Sequence, residues 1–362
     1  MTKNTISEKI LNIDFLRIVG CLSIVLLHLM RAFASIDVDL YKKLHLMTCN
    51  GNKAVDLFFI LSGLFFFLLY KKDVSMMDFL KKKLARLYPA LIFVLVLWFV
   101  CGGIFHLCNF NYYSCLMTFF GLTGTPLTIN FGLVSQFWYV SSMLWTMLLL
   151  KYLYDNFDVK ILNLFLAIMI FVGYGVILHI NTIGAIGAGD VYYTGILRAL
   201  AGMGIGYFIA MWYKNEYDNI KQYQSNIFQK IAITALEFVC LFFIINNLML
   251  HHFKYGNQII FVVVFTIIVP LFLFKQGYIS KLLDNKICSI IARYTYSIFV
   301  THNLIRVIYQ NTILVKYQNL FLLHPVINLV VAILLVILLG MITYHLVEYP
   351  FMKFYNKKYL KS

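Results

Sequence analysis

Charge is scarce in this chain. Of its 362 residues only 12% are Asp, Glu, Lys or Arg, and the acids number just 15. Set against 62% hydrophobic residues, so little charge excludes a disordered chain and an ordinary soluble domain. Proline occurs five times, which leaves long stretches without a helix breaker. The seven cysteines include no CxxC pair and most sit inside apolar runs, so neither a disulfide framework nor a metal site is expected. The opening MTKNTISEKILNIDF lacks the basic segment, short apolar run and small-residue cleavage site of a signal peptide, so the first apolar run should persist as a span. Neither GxGxxG nor GxxxxGK[ST] follows a strand pattern. The glycines of NTIGAIGAGD and RALAGMGIGYF are therefore assigned to close helix packing. No low-complexity linker divides the chain, and residues 1–362 are read as one domain.

What the chain has is apolar length. Runs of about 20 residues, enough to cross a bilayer as helix, lie near 13–33, 54–70, 87–107, 134–153, 161–180, 192–213, 231–250, 257–274, 288–310 and 323–346. The expected fold is an all-α integral membrane protein, a bundle of about ten transmembrane helices. The segment from Tyr112 to Phe120 is too short to span and is expected to lie in the interface or re-enter. An even number of spans puts both termini on one side. With the N-terminus inside, 21 of the 30 Lys and Arg fall in inside segments, so both termini are assigned to the cytoplasm. The formal charge of +15 is thus mainly a topology signal and not a nucleic-acid footprint.

An ionisable group within a span is costly unless it faces protein or water, which makes each one a functional candidate. In NIDFLRIVGCLSIVLLHLMR, Arg17 and His28 are 11 residues apart. At 100° per residue they return to nearly the same helix face, about 16 Å apart along the axis. Asp14 lies three residues before Arg17, close to that stripe and placed to pair with it. A neutral imidazole held away from bulk water can take a proton from an attacking hydroxyl, although a hydrogen-bonded packing role is also open to His28. If His28 has an acidic partner, that partner must come from another helix, because Asp14 is three turns away. In KAVDLFFILSGLFFFLLY, Asp56 either pairs with a loop lysine or serves function, Gly63 either permits helix contact or serves function, and Ser62 beside it midway along the span is a further site candidate. Lys83 and Arg86 of FLKKKLARLYPAL share a face, as a positive-inside stop or as a phosphate clamp. Trp138 and Tyr139 open the fourth span, where interfacial anchoring accounts for them. His302 sits well within the ninth span, with Arg306 one turn later. Glu348, before Pro350, is expected to accept a salt bridge from Arg17, Lys83 or Arg86.

Taken together these stretches resemble the acyltransferase-3 family, ten-helix bacterial membrane proteins that acylate surface sugars. IDFLRIVGCLSIVLLH is similar to the first-helix signature of Arg, ten residues and His. DLFFILSG, KLARLYPA, FWYVSSMLW, YSIFVTH and VEYPF follow in family order, so the resemblance covers nearly the whole chain. It implies an O-acyltransferase of the bacterial cytoplasmic (inner) membrane, multi-pass in the lipid bilayer. It would move an acyl group, usually acetyl from acetyl-CoA, to a hydroxyl of a cell-surface glycan or its lipid-linked precursor. On that resemblance His28 is the base or acyl-handling residue, Asp14 and Arg17 organise its pocket, Lys83 and Arg86 bind the CoA phosphates, and Glu348 supports them. Two positions depart from the family pattern. Lys83 stands where Arg is common, supplying charge without a bidentate fork, and Met143 stands where many members carry Glu. No hydrolase-like domain accompanies the spans, so the unit is expected to act alone or to hand acyl groups to a separate partner. The reading leaves room for a homo-oligomer. The competing class is a proton-coupled transporter or flippase of a glycan or lipid-linked sugar, which many spans and a buried His would also suit. Against it, the two halves show no clear repeat, and the polar groups cluster at motifs expected for a CoA site.

Overall fold

The computed structural model describes residues 10–34, 50–70, 72–105, 112–125, 134–182, 188–223, 225–250, 258–313, 316 and 325–359. Lys3, Lys9, Lys42, Lys43, Lys71, Lys254, Lys361, Cys49, Cys108 and part of NTIGAIGAGD lie outside the described residues. Within them the protein is an all-α membrane protein, with no strand. In chain order the helices are α1 (Ile13–Ala34), α2 (Ala54–Leu68), α3 (Met76–Phe105), α4 (Tyr112–Phe119), α5 (Phe137–Asn156), α6 (Val159–Thr182) and α7 (Ala188–Gln222). They continue as α8 (Ile227–Ile245), α9 (Gln258–Phe274), α10 (Tyr278–Leu282), α11 (Lys286–Ala292), α12 (Thr295–Ile308), α13 (Pro325–Thr343) and α14 (Tyr349–Tyr359). Seven described helical segments are long and apolar enough to cross a membrane.

Two spans differ from expectation. The third begins at Met76, well before residue 87, because Ser75 opens it: Asp78 N–H donates to Ser75 Oγ at 3.1 Å and the Ser75 hydroxyl donates to the Asp78 carboxylate at 2.7 Å. The basic motif therefore rides on α3 itself. The run at 288–310 is not one helix. The turn after Ala292 tightens, with Tyr294 N–H donating to Ile291 O at 3.1 Å, and the Thr295 hydroxyl takes Ala292 O at 2.8 Å. That carbonyl is occupied locally, and the chain restarts as α12 at Thr295.

Glycine sets the tightest contact. Between lipid-embedded helices water exclusion supplies no drive, so close van der Waals contact must. The α2–α7 seam does this: a Cβ on Gly206 would lie 2.2 Å from Ile60 O, and one on Gly63 would lie 2.2 Å from Met203 O. Gly202 and Gly206, four apart, give α7 the small-residue face that the glycine-rich stretch suggested. On the other side of the bundle α12 packs against α13 and α1. At Gly340 of α13 a Cβ would come within 2.4 Å of Ile298 of α12.

Candidate active site

The site grows from the entry of α1. Asn12 is fully buried and its side-chain amide donates to Phe272 O at 2.6 Å and Ser280 O at 3.1 Å, while Leu11 N–H donates to Asp284 at 3.0 Å. These bonds hold the first turn against α9 and α10. One turn on, Asp14 accepts from Arg17 at 2.8 Å, the i,i+3 pair the spacing suggested. Arg17 also reaches Thr295 Oγ1 of α12 at 3.4 Å, and Cys21 S–H donates to Thr295 O at 3.5 Å. Further along the same stripe, the His28 ring lies 5.0 Å from the ring of His302, centroid to centroid, with planes at 52°. From Arg17 to His28 on α1, and from Thr295 to His302 on α12, contacts advance in the same direction, so the two helices run parallel.

At the Arg17 end charges converge. The guanidinium of Arg17 lies close enough to Arg86 and Glu348 for its charge to act on both. Arg86 itself lies at the surface of the bundle, while Glu348 and Asp14 are buried behind it. Glu348 is buried at the end of a π-helical turn, Tyr344–Glu348, an insertion of the kind that often marks functional positions. Its Oε2 accepts from the Ser297 hydroxyl at 2.5 Å. The expected salt bridge is thus replaced by a hydroxyl, with Arg86 and Arg17 acting on Glu348 from further off. Lys83 is one turn before Arg86, its ammonium 5.3 Å from the Phe79 ring centre. Tyr296 donates to Leu87 O at 2.6 Å and ties α12 to this part of α3.

At the His28 end the lining is aromatic and hydroxylic. His302 is fully buried, and its Nδ1 lies 2.6 Å from Phe299 O. Phe299 packs edge-on against Tyr139 at 5.6 Å. The Tyr139 hydroxyl is 3.2 Å from Ser62 Oγ and 3.6 Å from Met143 Sδ, and Ser62 donates to that sulfur at 3.3 Å. Met143 thus presents a soft acceptor that two hydroxyls use. Trp138 serves packing: it sits 6.3 Å from the Phe59 ring, and its Cβ would meet a side chain at Gly124. Gln136 ties the start of α5 to α12 by donating to Val300 O at 2.6 Å.

Asp14, Arg17, Arg86, Glu348, Ser62, Tyr139, His28 and His302 are thus linked along the α1–α12 seam. Asp56 is committed elsewhere. It is fully buried and grips Arg198 of α7, a helix arginine, in two bonds of 2.7 and 2.8 Å. Sequence reasoning passed over Arg198, read only for its neighbouring glycines. It also passed over Glu237, a buried acid of α8 that accepts from Ile279 and Ser280 N–H at 3.1 and 3.2 Å, and took Lys151, which is buried and paired with Asp155 at 2.8 Å, only as a cytoplasmic topology charge. The rule that singled out Asp56, an ion inside an apolar run, would have found all three. No group of three or more His, Cys, Asp or Glu among the described residues is placed to hold a metal.

The O-acetyltransferase OatA of Staphylococcus aureus, from strain NCTC 8325 / PS 47 and equally from strain COL, is 25% identical over 355 aligned residues. The alignment takes in 90% of this chain and 56% of the relative, so the chain spans about half the length of the curated relatives it matches. No solved structure matches it. A family model described as an acyltransferase domain matches residues 10–345, from just before the Asn12 anchor to the start of the π-helical turn that follows α13, and the chain therefore belongs to the acyltransferase-3 family.

Proposed function

We propose that this chain, as a single unit over residues 1–362, transfers an acetyl group from acetyl-CoA to a hydroxyl of a cell-surface glycan or its lipid-linked precursor, with His28 as general base. The observation that carries the reading is the α1–α12 seam, with exposed cationic charge at one end and paired imidazoles at the other. Arg86, Lys83 and Arg17 outnumber Asp14 and Glu348, an excess suited to the phosphates of the donor. The pantetheine arm then lies along the α1 stripe, whose length of about 16 Å is the reach from Arg17 to His28. The acceptor O–H gives its proton to His28 as its oxygen bonds the acetyl carbonyl carbon. The C–S bond breaks, and the departing sulfur takes the proton from His28. The Staphylococcus aureus relatives are O-acetyltransferases by name, which supports an oxygen acceptor.

In this reading the protein sits in the bacterial cytoplasmic membrane, with ten spans and both ends inside. Parallel α1 and α12 support that parity, because parallel spans need an even number of crossings from the start of one to the start of the other. The test is His28→Ala in membranes given labelled acetyl-CoA and extracted glycan. Loss of label transfer of at least about 100-fold is expected for removal of a general base, and undiminished transfer would refute the assignment.

A further inference from the structure

The proposed reaction uses one hydroxyl of the acceptor and one imidazole. A second imidazole stands beside them, the ring of His302, 5.0 Å from that of His28 between centroids. Its protonation follows from one bond: Phe299 O can only accept, so the Nδ1 lying 2.6 Å from it carries the proton. The Nε2 of the neutral ring is then a lone pair. That nitrogen is fully buried and has no hydrogen-bond partner among the described residues. The next carbonyl of α12 is used in the same way. Gln136 Nε2 donates to Val300 O at 2.6 Å, and Gln136 Oε1, also buried, has no donor among the described residues. Two buried acceptors of this kind suit a ligand that brings O–H groups, and not an anion, which has none to give. The lining beside His302 is open to such a ligand, since His28, Phe58, Ser62 and Tyr139 are each half-buried. Ring contacts of 5.6 Å from Phe299 to Tyr139 and 6.1 Å from Phe58 to Tyr139 join that lining to α12.

We infer that His302 is an acceptor-binding residue whose Nε2 receives a second O–H of the glycan, on the carbon next to the one acetylated, so that the site takes sugars with a pair of adjacent hydroxyls. The inference rests on the proposed base role of His28. His28 takes the proton of the reacting hydroxyl, so the O–H given to His302 must be another. With ring centres 5.0 Å apart, that other hydroxyl lies near the first, each O–H···N bond spanning about 2.8 Å. Hydroxyls on adjacent carbons of a sugar ring meet this spacing. His302 takes no proton in the reaction. Its bond forms with the bound glycan and persists to the transition state, so it acts on KM and leaves kcat unchanged.

Purified protein is given labelled acetyl-CoA and extracted glycan, and the position of the label is mapped by NMR. The acetyl group should sit on a carbon whose neighbour bears a free hydroxyl, and an acetyl group without such a neighbour would overturn the inference. His302→Leu removes the acceptor and should raise KM for the glycan about 10-fold, with kcat and KM for acetyl-CoA unchanged. His302→Gln places an amide oxygen near the Nε2 position and should return to within about 3-fold of wild type. Wild-type KM for the glycan in His302→Leu, equal damage from Leu and Gln, or loss of acetyl-CoA binding in both would overturn the inference, while an inactive His28→Ala leaves the base role standing. An active His28→Ala would overturn both.

Discussion

The Asp56–Arg198 pair offers the sharpest energetic test of the fold. Asp56 is fully buried, the Arg198 side chain is 11% exposed, and two parallel charge-assisted bonds of 2.7 and 2.8 Å join them, with a third from Arg198 to Asn52 O at 3.2 Å. Arg198→Met keeps the length of the side chain but strips these donors from a carboxylate that water does not reach. Removing one member of such a buried pair costs about 3–5 kcal/mol, because the remaining charge keeps its desolvation penalty without its compensation. Replacing both, as in Asp56→Leu with Arg198→Met, removes penalty and compensation together and should cost far less. At about 2–4 °C per kcal/mol for a large domain, the single variant should melt at least about 6 °C below wild type in detergent, and the double variant should regain most of that loss. A single variant within 1 °C of wild type, or a double variant as unstable as the single, would refute the reasoning.

Three further outcomes follow from the geometry. Gly206→Ala places a Cβ 2.2 Å from Ile60 O at the α2–α7 seam, where backbone cannot yield cheaply; overpacking should cost about 1–3 kcal/mol, read as a lower melting temperature, and wild-type stability would show that the seam is loose. Arg86→Ala should weaken acetyl-CoA binding about 10-fold or more, the worth of a charged hydrogen bond, while leaving glycan binding nearly intact; equal CoA affinity in both proteins would remove Arg86 from the donor site. For topology, single cysteines are placed at the exposed positions Lys72, Lys160 and Tyr112 in a cysteine-free background. An impermeant maleimide on intact cells should label Tyr112→Cys alone, and labelling of Lys72→Cys or Lys160→Cys before permeabilisation would reverse the orientation.

Class, helix periodicity and the stripe on α1 were legible in the sequence because they are local. An apolar run long enough to cross lipid must satisfy its own backbone hydrogen bonds and so becomes helix. A helix with 3.6 residues per turn returns Arg17 and His28 to one face whatever surrounds it. Partners were not legible. That Asp56 meets Arg198, that Glu348 meets the Ser297 hydroxyl before any cation, and that His28 faces His302 all depend on which helices lie side by side. The break after Ala292 carries no proline or glycine to announce it, and only the docking of α12 between α1 and α13 reveals its use. Membrane helices are apolar on every side, so periodicity names the polar stripe without naming the neighbour it faces. The sequence by itself determined an all-α membrane protein with an ionisable wall along α1. Only the tertiary structure decided what stands opposite that wall, because neighbour choice rests on close backbone approach at residues such as Gly63, Gly206 and Gly340, and on a few buried polar bonds.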